Sequence, residues 1–197
     1  VDIESNFLKN ARQSGVEIIS EIELASRINN SPLIGITGTN GKSTCTSLIG
    51  EILKEGGISA TVGGNLGIPF ISLVDQEQVE YRVLEISSFQ MEATSGLHPV
   101  ASIILNISPD HMHRHKDFAS YVELKKKVFT HQTQKDFLIL NQDDPNTRDL
   151  GKDCPAECVL FSTQAELEKG VFLRGDKIIA RLNNSEMEVL SLESLSR

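Results

Sequence analysis

The stretch Leu33-Ile34-Gly35-Ile36-Thr37-Gly38-Thr39-Asn40-Gly41-Lys42-Ser43-Thr44 decides the fold of this chain. Its first five residues form an apolar run typical of a buried strand, and a glycine-rich turn follows directly. Beyond the turn, apolar residues recur at helical spacing until Gly56-Gly57 ends the pattern. These residues are Cys45, Leu48, Ile49, Ile52 and Leu53. The sequence therefore predicts a strand, a tight turn and an amphipathic helix that packs through this stripe.

The turn has the residue types of a phosphate-binding loop. Its glycines let the backbone approach phosphate oxygens, Lys42 can reach the β- and γ-phosphates, and Ser43 can bind Mg²⁺. The usual pattern has glycine where this chain has Ile36, so the loop is a variant. The alternative, a tight turn with an exposed lysine, is disfavoured because strand, glycines, Gly-Lys-Ser and helix coincide. The residues predicted to contact a nucleotide are Gly38, Thr39, Asn40, Gly41, Lys42, Ser43 and Thr44.

Strand-like and helix-like segments alternate on both sides of this loop. An initial helix from Ile3 up to Gly15, a strand at 16–19 and a second helix at 21–28 are predicted to precede it. Further strands are predicted at 58–62, 81–86, 100–107 and 137–141. A small C-terminal β-hairpin region is predicted near 171–180, with 187–190 able to pair alongside it. The expected fold is α/β, with a mainly parallel sheet flanked by helices.

Composition limits the functions that this chain can have. Of its 197 residues 39% are hydrophobic and 23% are charged, which is typical of a globular protein. The formal net charge of −8 argues against a general nucleic-acid-binding role. The most continuous apolar run, 100–105, is too short to cross a bilayer, and the first residues lack the charged-then-apolar pattern of a signal peptide. We expect a cytoplasmic protein with reduced cysteines. The start at Val1 without an initiator Met suggests a processed protein or an excised piece, and we favour the excised piece.

Three further segments carry a resemblance to a known family. They are Gly63-Gly64-Asn65-Leu66-Gly67-Ile68-Pro69, Leu84-Glu85-Ile86-Ser87-Ser88-Phe89-Gln90-Met91-Glu92 and Leu105-Asn106-Ile107-Ser108-Pro109-Asp110-His111-Met112. Together with the loop, and in this order, they resemble the Mur ligases of peptidoglycan synthesis, specifically the D-glutamate-adding members. Folylpolyglutamate synthetase, a relative, and a non-catalytic nucleotide-binding module are the alternative interpretations.

The resemblance implies a domain organisation and a reaction. Residues 1–31 would be the end of a UDP-substrate domain and 32–197 a P-loop-type central ATP-binding domain, with the C-terminal ligase domain absent. In the intact enzyme, ATP and Mg²⁺ would convert UDP-N-acetylmuramoyl-L-alanine to an acyl phosphate, which D-glutamate attacks. We expect a monomer, and we expect the isolated chain to bind nucleotide without ligating.

The resemblance also assigns roles to residues outside the loop. Lys42, Glu85, His111 and Lys125 correspond to catalytic positions. The magnesium ligands would be Ser43, Glu85, His111 and, if carbamylated by CO₂, Lys125. Asn65, Ser87 and Ser88 would contact the substrate, although Asn65 could instead only stabilise a left-handed turn.

Lys125 can also be argued from the residues themselves. From Asp117, helical spacing places apolar side chains on one stripe, and Lys125 falls within it while Lys126 and Lys127 point progressively away. The stripe consists of Phe118, Tyr121, Val122, Val128 and Phe129. A lysine that faces the core should have a lowered pKa, whereas one that extends past the core to water should not. The residues alone leave these two alternatives open.

The remaining histidines and cysteines suggest no further site. His113 stands where the family more often has Asp, and the alternating His111, His113 and His115 are interpreted as a solvated loop. Cys154 and Cys158 lack the spacing of a zinc site, and Cys45 is expected to be a small core residue.

Overall fold

The computed structural model describes residues 5–75 and 78–195, and nine strands in this part of the chain form one sheet. In chain order the strands are β1 (Leu33–Thr37), β2 (Ala60–Gly64), β3 (Tyr81–Glu85), β4 (Ala101–Ile104), β5 (Phe137–Asn141), β6 (Glu157–Ser162), β7 (Gly170–Arg174), β8 (Lys177–Leu182) and β9 (Ser185–Ser191). The order across the sheet is β2-β3-β1-β4-β5-β6-β7-β8-β9. The strands from β2 to β7 are parallel, and β8 and β9 add antiparallel pairs.

Helices precede β1 and connect the strands from β1 to β5, as the α/β prediction requires. They are α1 (Lys9–Gln13), α2 (Glu21–Ile28), α3 (Lys42–Glu55), α4 (Phe70–Val74), α5 (Ser88–Met91) and α6 (Phe118–Lys126). Short 3₁₀ segments lie at Asn6–Leu8, Lys127–Phe129 and Leu192–Leu195. Among the described residues, no helix is long and apolar enough to span a bilayer.

The connections place the loop after β1 at a switch in strand order. From β1 the chain moves to one side of the sheet to form β2 and β3, and then returns to the other side of β1 to form β4. The loops after β1 and β4 therefore leave the same edge of the sheet in opposite directions. Open α/β sheets bind their ligands in the crevice at such a point.

The main hydrophobic core lies between the parallel strands and their helices. It includes Ile22, Phe70, Leu84, Ile104 and Tyr121. Because Ile22 and Ala25 of α2 belong to it, residues before position 32 pack into the same core as the sheet. The predicted domain boundary at residue 32 stays a prediction.

Most predicted elements form close to where the sequence placed them, with three differences. The strand predicted at 16–19 does not form: this segment is non-repetitive, and the Ser20 N–H that ends it donates to the Ala93 carbonyl in a loop. Strand β6 was missed. The first helix was predicted from Ile3, which lies outside the described residues, and α1 begins only at Lys9.

The stripe predicted for α3 is wrong in its orientation. Leu48 and Ile52 are 57% and 60% exposed, whereas Thr46 and Gly50 are buried against the sheet. Helix α3 approaches β2 so closely that a Cβ on Gly50 would lie 2.3 Å from Cγ2 of Val62. The small residue, rather than the large apolar ones, thus decides which face of α3 packs.

The three cysteines are free thiols, as predicted. Cys154 and Cys158 pack against the main core without being fully buried. Cys45 is half-buried on α3, so the prediction that it is a core residue is wrong. It lies on the side of the helix that also exposes Leu48 and Ile52.

Candidate nucleotide-binding site

The loop between β1 and α3 ends in a helix N-terminus with unpaired amides. Gly41 has a left-handed φ of 81° and forms the N-cap of α3, and the first helical hydrogen bond runs from Cys45 N to Gly41 O over 3.0 Å. The N–H groups of residues 42–44 therefore have no acceptor within the helix. This is the arrangement in which a helix N-terminus binds phosphate.

The loop after β4 holds the phosphate loop from one side through Asn106. Thr39 N donates to the Asn106 carbonyl over 2.9 Å, and Asn40 N donates to Asn106 Oδ1 over 2.8 Å. In return, Asn106 Nδ2 donates to the Asn40 carbonyl over 3.1 Å. The amides of Thr39 and Asn40, both predicted to contact nucleotide, are thus already bonded within the protein.

Glu85 brings together residues from three segments. It is the last residue of β3 and is only 2% exposed. Its Oε2 accepts from Ser43 Oγ over 2.6 Å, and its Oε1 accepts from Asn65 Nδ2 over 2.7 Å. Gly64, with a φ of 95°, allows this close approach, since a Cβ there would lie 2.4 Å from the Glu85 carbonyl oxygen. Three residues predicted from separate motifs therefore meet at one carboxylate.

Lys125 faces the interior, so the alternative that it extends to water is wrong. It is 2% exposed, and its Nζ donates to the Gly38 carbonyl over 2.7 Å. Its pKa is lowered from 10.5 to about 7, chiefly by burial and also by the positive charge of Lys42, while the charge of Asp110 opposes the shift. A substantial fraction of neutral amine is therefore present near neutral pH. Its neighbour Lys127 does not point away as predicted, because its Nζ donates to the Met91 carbonyl over 2.7 Å.

Tyr121 contacts the loop from α6. Its hydroxyl lies 3.2 Å from Thr39 Oγ1, and its ring centroid lies 4.6 Å from Lys125 Nζ. Thr39 Oγ1 donates to the Ser108 carbonyl over 3.1 Å and accepts from Ser108 N over 3.0 Å. Because a threonine hydroxyl has one hydrogen, Tyr121 is the donor to Thr39. The phosphate loop, the loop after β4 and α6 thus meet at Thr39.

His111 lies outside this group of contacts. Its side chain is 44% exposed, its φ is 56°, and its ring centroid lies 5.0 Å from that of Phe89. In residues 5–75 and 78–195, no three His, Cys, Asp or Glu side chains are close enough to hold a metal ion. The role of His111 as a magnesium ligand stays a prediction.

The two serines after Glu85 have different local partners. Ser87 is the N-cap of α5 and forms a capping box with Gln90. Ser88 is buried, and its Oγ lies 3.1 Å from His115 Nε2. The substrate contacts predicted for both serines stay predictions.

The segment of alternating histidines is a turn, and this corrects its interpretation. His113 is exposed as predicted, but His115 is buried, with its ring stacked on Phe89 and 4.9 Å from the ring of Tyr121. Burial lowers the pKa of His115. Because residues 112–114 form a turn, alternation does not place the three histidines on one face.

Comparison with known proteins identifies the family. The family model of the Mur ligase middle domain matches residues 36–195. The chain belongs to the Mur ligase family. Among its relatives, the UDP-N-acetylmuramoylalanine–D-glutamate ligase of Alkaliphilus metalliredigens is 38% identical over 196 residues, which cover 99% of this chain and 43% of the relative. The ligase of the same name from Geobacter metallireducens is 44% identical over 184 residues, or 93% of this chain and 41% of that one.

Solved structures show that this Mur ligase chain has the family fold. A UDP-N-acetylmuramoyl-L-alanyl-D-glutamate–2,6-diaminopimelate ligase superimposes with a TM-score of 0.66 at 19% identity, over 86% of this chain and 41% of that one. The MurF ligase of Thermotoga maritima, solved in complex with ADP, gives 0.60 at 21% identity, over 86% and 43%. This chain spans about two fifths of the relatives and structures that it matches.

Two residues that hold this Mur ligase loop were not among the predicted site residues. Asn106 lies two positions after the end of β4, at the same sheet edge as the loop, and its place behind a buried strand is the signal that could have identified it. Tyr121 was recognised only as part of an apolar stripe. Its hydroxyl has no signal in the sequence, because the contact with Thr39 depends on how α6 packs across the sheet edge.

Proposed function

We propose that this chain binds ATP with Mg²⁺ and forms the ATP-using part of a ligase that joins D-glutamate to UDP-N-acetylmuramoyl-L-alanine. The observation that carries the proposal is the meeting of Ser43 and Asn65 at the buried carboxylate of Glu85, directly beside the amides of α3. The names of the curated relatives support the choice of substrates. The ADP complex of the Thermotoga maritima relative supports the choice of nucleotide.

The oxygen atoms around Glu85 are suitable ligands for Mg²⁺. A hydroxyl and a carboxylate are hard oxygen donors, which Mg²⁺ prefers, and it binds proteins through few of them together with phosphates. Ser43 and Glu85 would therefore hold the ion. When bound, Mg²⁺ neutralises charge that develops on the transferred phosphoryl group. We propose His111 and a carbamylated Lys125 as ligands of a second ion. The burial of Lys125, which favours its neutral amine, supports the carbamylation.

The protein groups would position reactants rather than react with them. The substrate carboxylate attacks the γ-phosphorus, ADP leaves, and an acyl phosphate forms; the amine of D-glutamate then attacks the acyl carbon and phosphate leaves. During these reaction steps, the amides of residues 42–44 and the ammonium of Lys42 would hold the phosphates in line with the attacking carboxylate. Lys42 Nζ now donates to the Thr39 carbonyl over 2.9 Å, so it lies beside the loop that it would serve.

Nucleotide binding by the 197-residue chain is the first test. We expect ATP with Mg²⁺ to bind in an equilibrium titration, and Lys42→Ala or Glu85→Ala to weaken it at least about tenfold, because each removes a charged contact. Lys54→Ala is the matched control, since Lys54 is exposed at the other end of α3. Equal binding by all variants would contradict the proposal.

Ligation is tested in a chimera, because the relatives are more than twice as long as this chain. The chain replaces the matching 196 residues of the Alkaliphilus metalliredigens ligase. We expect phosphate release that depends on both D-glutamate and UDP-N-acetylmuramoyl-L-alanine, and none with a folate substrate. Activity with folate would favour a folylpolyglutamate synthetase. Activity that survives Lys42→Ala in the chimera would contradict an ATP-using role for the loop.

A further inference from the structure

One turn of α6 contacts two successive residues of the phosphate loop. Lys125 Nζ donates to the Gly38 carbonyl over 2.7 Å, and the Tyr121 hydroxyl donates to Thr39 Oγ1 at 3.2 Å. Tyr121 and Lys125 are four positions apart, so their side chains lie on one face of the helix. The loop is therefore attached to α6 at two adjacent points.

Tyr121 contributes two separable parts to this attachment. Its hydroxyl reaches the loop, while its ring lies under the Lys125 amine with 4.6 Å between Nζ and the ring centroid. The side chain is 2% exposed, so both contacts are made away from water. A residue needed only to fill the core would not require the hydroxyl, because a buried hydroxyl costs free energy unless it is bonded.

Thr39 connects the Tyr121 hydroxyl to the nucleotide site. The Thr39 side chain is bonded to the backbone of Ser108 on both sides, and its amide is bonded to Asn106. Gly41 and the N-terminus of α3 follow only two residues later. A change in the position of Thr39 is thus transmitted to the amides that would bind phosphate.

We propose that Tyr121 is a positioning residue that ties the phosphate loop to α6, so that binding of a nucleoside triphosphate orders the helix that carries Lys125. The inference rests on the proposed binding of ATP. The inference assigns to the Tyr121 hydroxyl, and not to the ring, the hydrogen bond that connects α6 to Thr39 of the phosphate loop.

The test compares Tyr121→Phe with Tyr81→Phe in the 197-residue chain. The first variant removes only the hydroxyl, and the second is a matched control because Tyr81 is the half-buried first residue of β3, at the opposite end of that strand from Glu85. We expect ATP with Mg²⁺ to bind about fivefold more weakly to Tyr121→Phe, as for loss of one hydrogen bond, and with unchanged affinity to Tyr81→Phe. In native chain and control, ATP should slow amide hydrogen exchange at 118–126, and in Tyr121→Phe this slowing should be lost.

A double-mutant cycle separates positioning from packing. Thr39→Val removes the partner hydroxyl, so Tyr121→Phe should have no further effect on ATP affinity in that background. Additive losses, or normal affinity together with normal slowing of exchange in Tyr121→Phe, would overturn the inference while leaving ATP binding intact. Absence of ATP binding by the native chain would instead overturn the proposed function and this inference with it.

Discussion

At the scale of single residues, Glu85 is a carboxylate held in the interior by neutral partners. Its two oxygens accept from the hydroxyl of Ser43 and the amide of Asn65, and the side chain is buried. Burying a carboxylate costs more free energy than burying an amide of the same shape. We therefore expect Glu85→Gln to raise the unfolding temperature of the Mg²⁺-free chain by about 2–4 °C, or ~1 kcal/mol.

The same variant should lose stabilisation by nucleotide. Thermal unfolding with and without ATP and Mg²⁺ measures both effects, and Glu168→Gln serves as a control at an exposed glutamate. An unfolding temperature that falls in Glu85→Gln without ligand would show that the carboxylate supports the fold rather than the site. Native proteins are often less stable than variants in which a charged residue of the functional site is replaced by an uncharged one.

Lys125 makes the stability of the chain depend on pH. Its pKa is about 7 in the folded state and 10.5 when exposed, because burial opposes the charged form. Between these values the unfolded chain binds more protons, so the Lys125 contribution to the free energy of unfolding rises with pH. Below about pH 7 the lysine is charged in both states and its destabilising effect is fully present.

Substitution of Lys125 by methionine should remove this dependence. Between pH 6 and pH 10, we expect the free energy of unfolding of the native chain to rise by about 2 kcal/mol or more relative to that of Lys125→Met. Urea unfolding at a series of pH values measures this difference. Lys126→Met is the control, since Lys126 is partly exposed and paired with Glu123 over 2.8 Å. If Lys125→Met and Lys126→Met showed the same trend with pH, the buried amine would not be the cause.

At the scale of elements, a missing side chain decides how α3 packs on β2. A Cβ on Gly50 would lie 2.3 Å from Cγ2 of Val62, closer than real contacts allow. Alanine favours a helix over glycine by about 1 kcal/mol, whereas overpacking costs about 1–3 kcal/mol. We expect Gly50→Ala to lower the free energy of unfolding by up to about 2 kcal/mol in urea titrations.

The cause can be tested by making room. The double variant Gly50→Ala with Val62→Ala should be more stable than Val62→Ala alone. Without the Val62 methyl groups the clash is gone, and the higher helix propensity of alanine remains. Ser47→Ala, at an exposed position of α3, should be neutral or slightly stabilising. A double variant with a lower free energy of unfolding than both single variants would indicate that Gly50 is needed for another reason.

These elements also show what the sequence could predict. The loop, β1, α2 and β5 follow from local signals: an apolar run, a cap or a glycine next to a clear period. The face of α3 could not be predicted by the same means, because its period favours Leu48 and Ile52 while the sheet accepts Gly50. Strand β6, by contrast, has a local signal in the apolar run Cys158-Val159-Leu160-Phe161, and this signal was overlooked.

The candidate site was predictable to the extent that its residues stand at strand ends. Glu85 ends the buried strand β3, and Asn65 directly follows the neighbouring strand β2, so the sheet itself brings them together. Contacts that depend on the path of a loop were not predictable. The turn at 112–114 buries His115 and leaves His111 exposed, although spacing treats them alike.

At the scale of the whole molecule, the sheet joins two hydrophobic cores of unequal size. The smaller one, formed by the buried Leu167, Phe172 and Ile179, lies under the antiparallel strands and shares no buried residue with the main core, although the half-buried Leu160 packs against both. Strand β7 pairs with β6 only at Phe161 with Val171 and at Ser162 with Phe172. Strand β9 is mostly exposed, and surface ion pairs such as Arg174 with Glu186 add little.

We therefore expect the antiparallel strands to open without the rest of the sheet. Native-state hydrogen exchange should give opening free energies for amides in 177–191 that are at least about 2 kcal/mol below those in β1 and β4, which lie in the main core.

Affinity for ATP should change less than about twofold when residues 177–197 are deleted, because none of them contacts the phosphate loop or Glu85 among the described residues. The comparison is deletion of 5–20, a segment that ends in Ser20, the N-cap of α2 in the main core. Equal protection of all strands, opening together, would mean that the two cores behave as one cooperative unit and that the antiparallel extension is required for the folding of the nucleotide site.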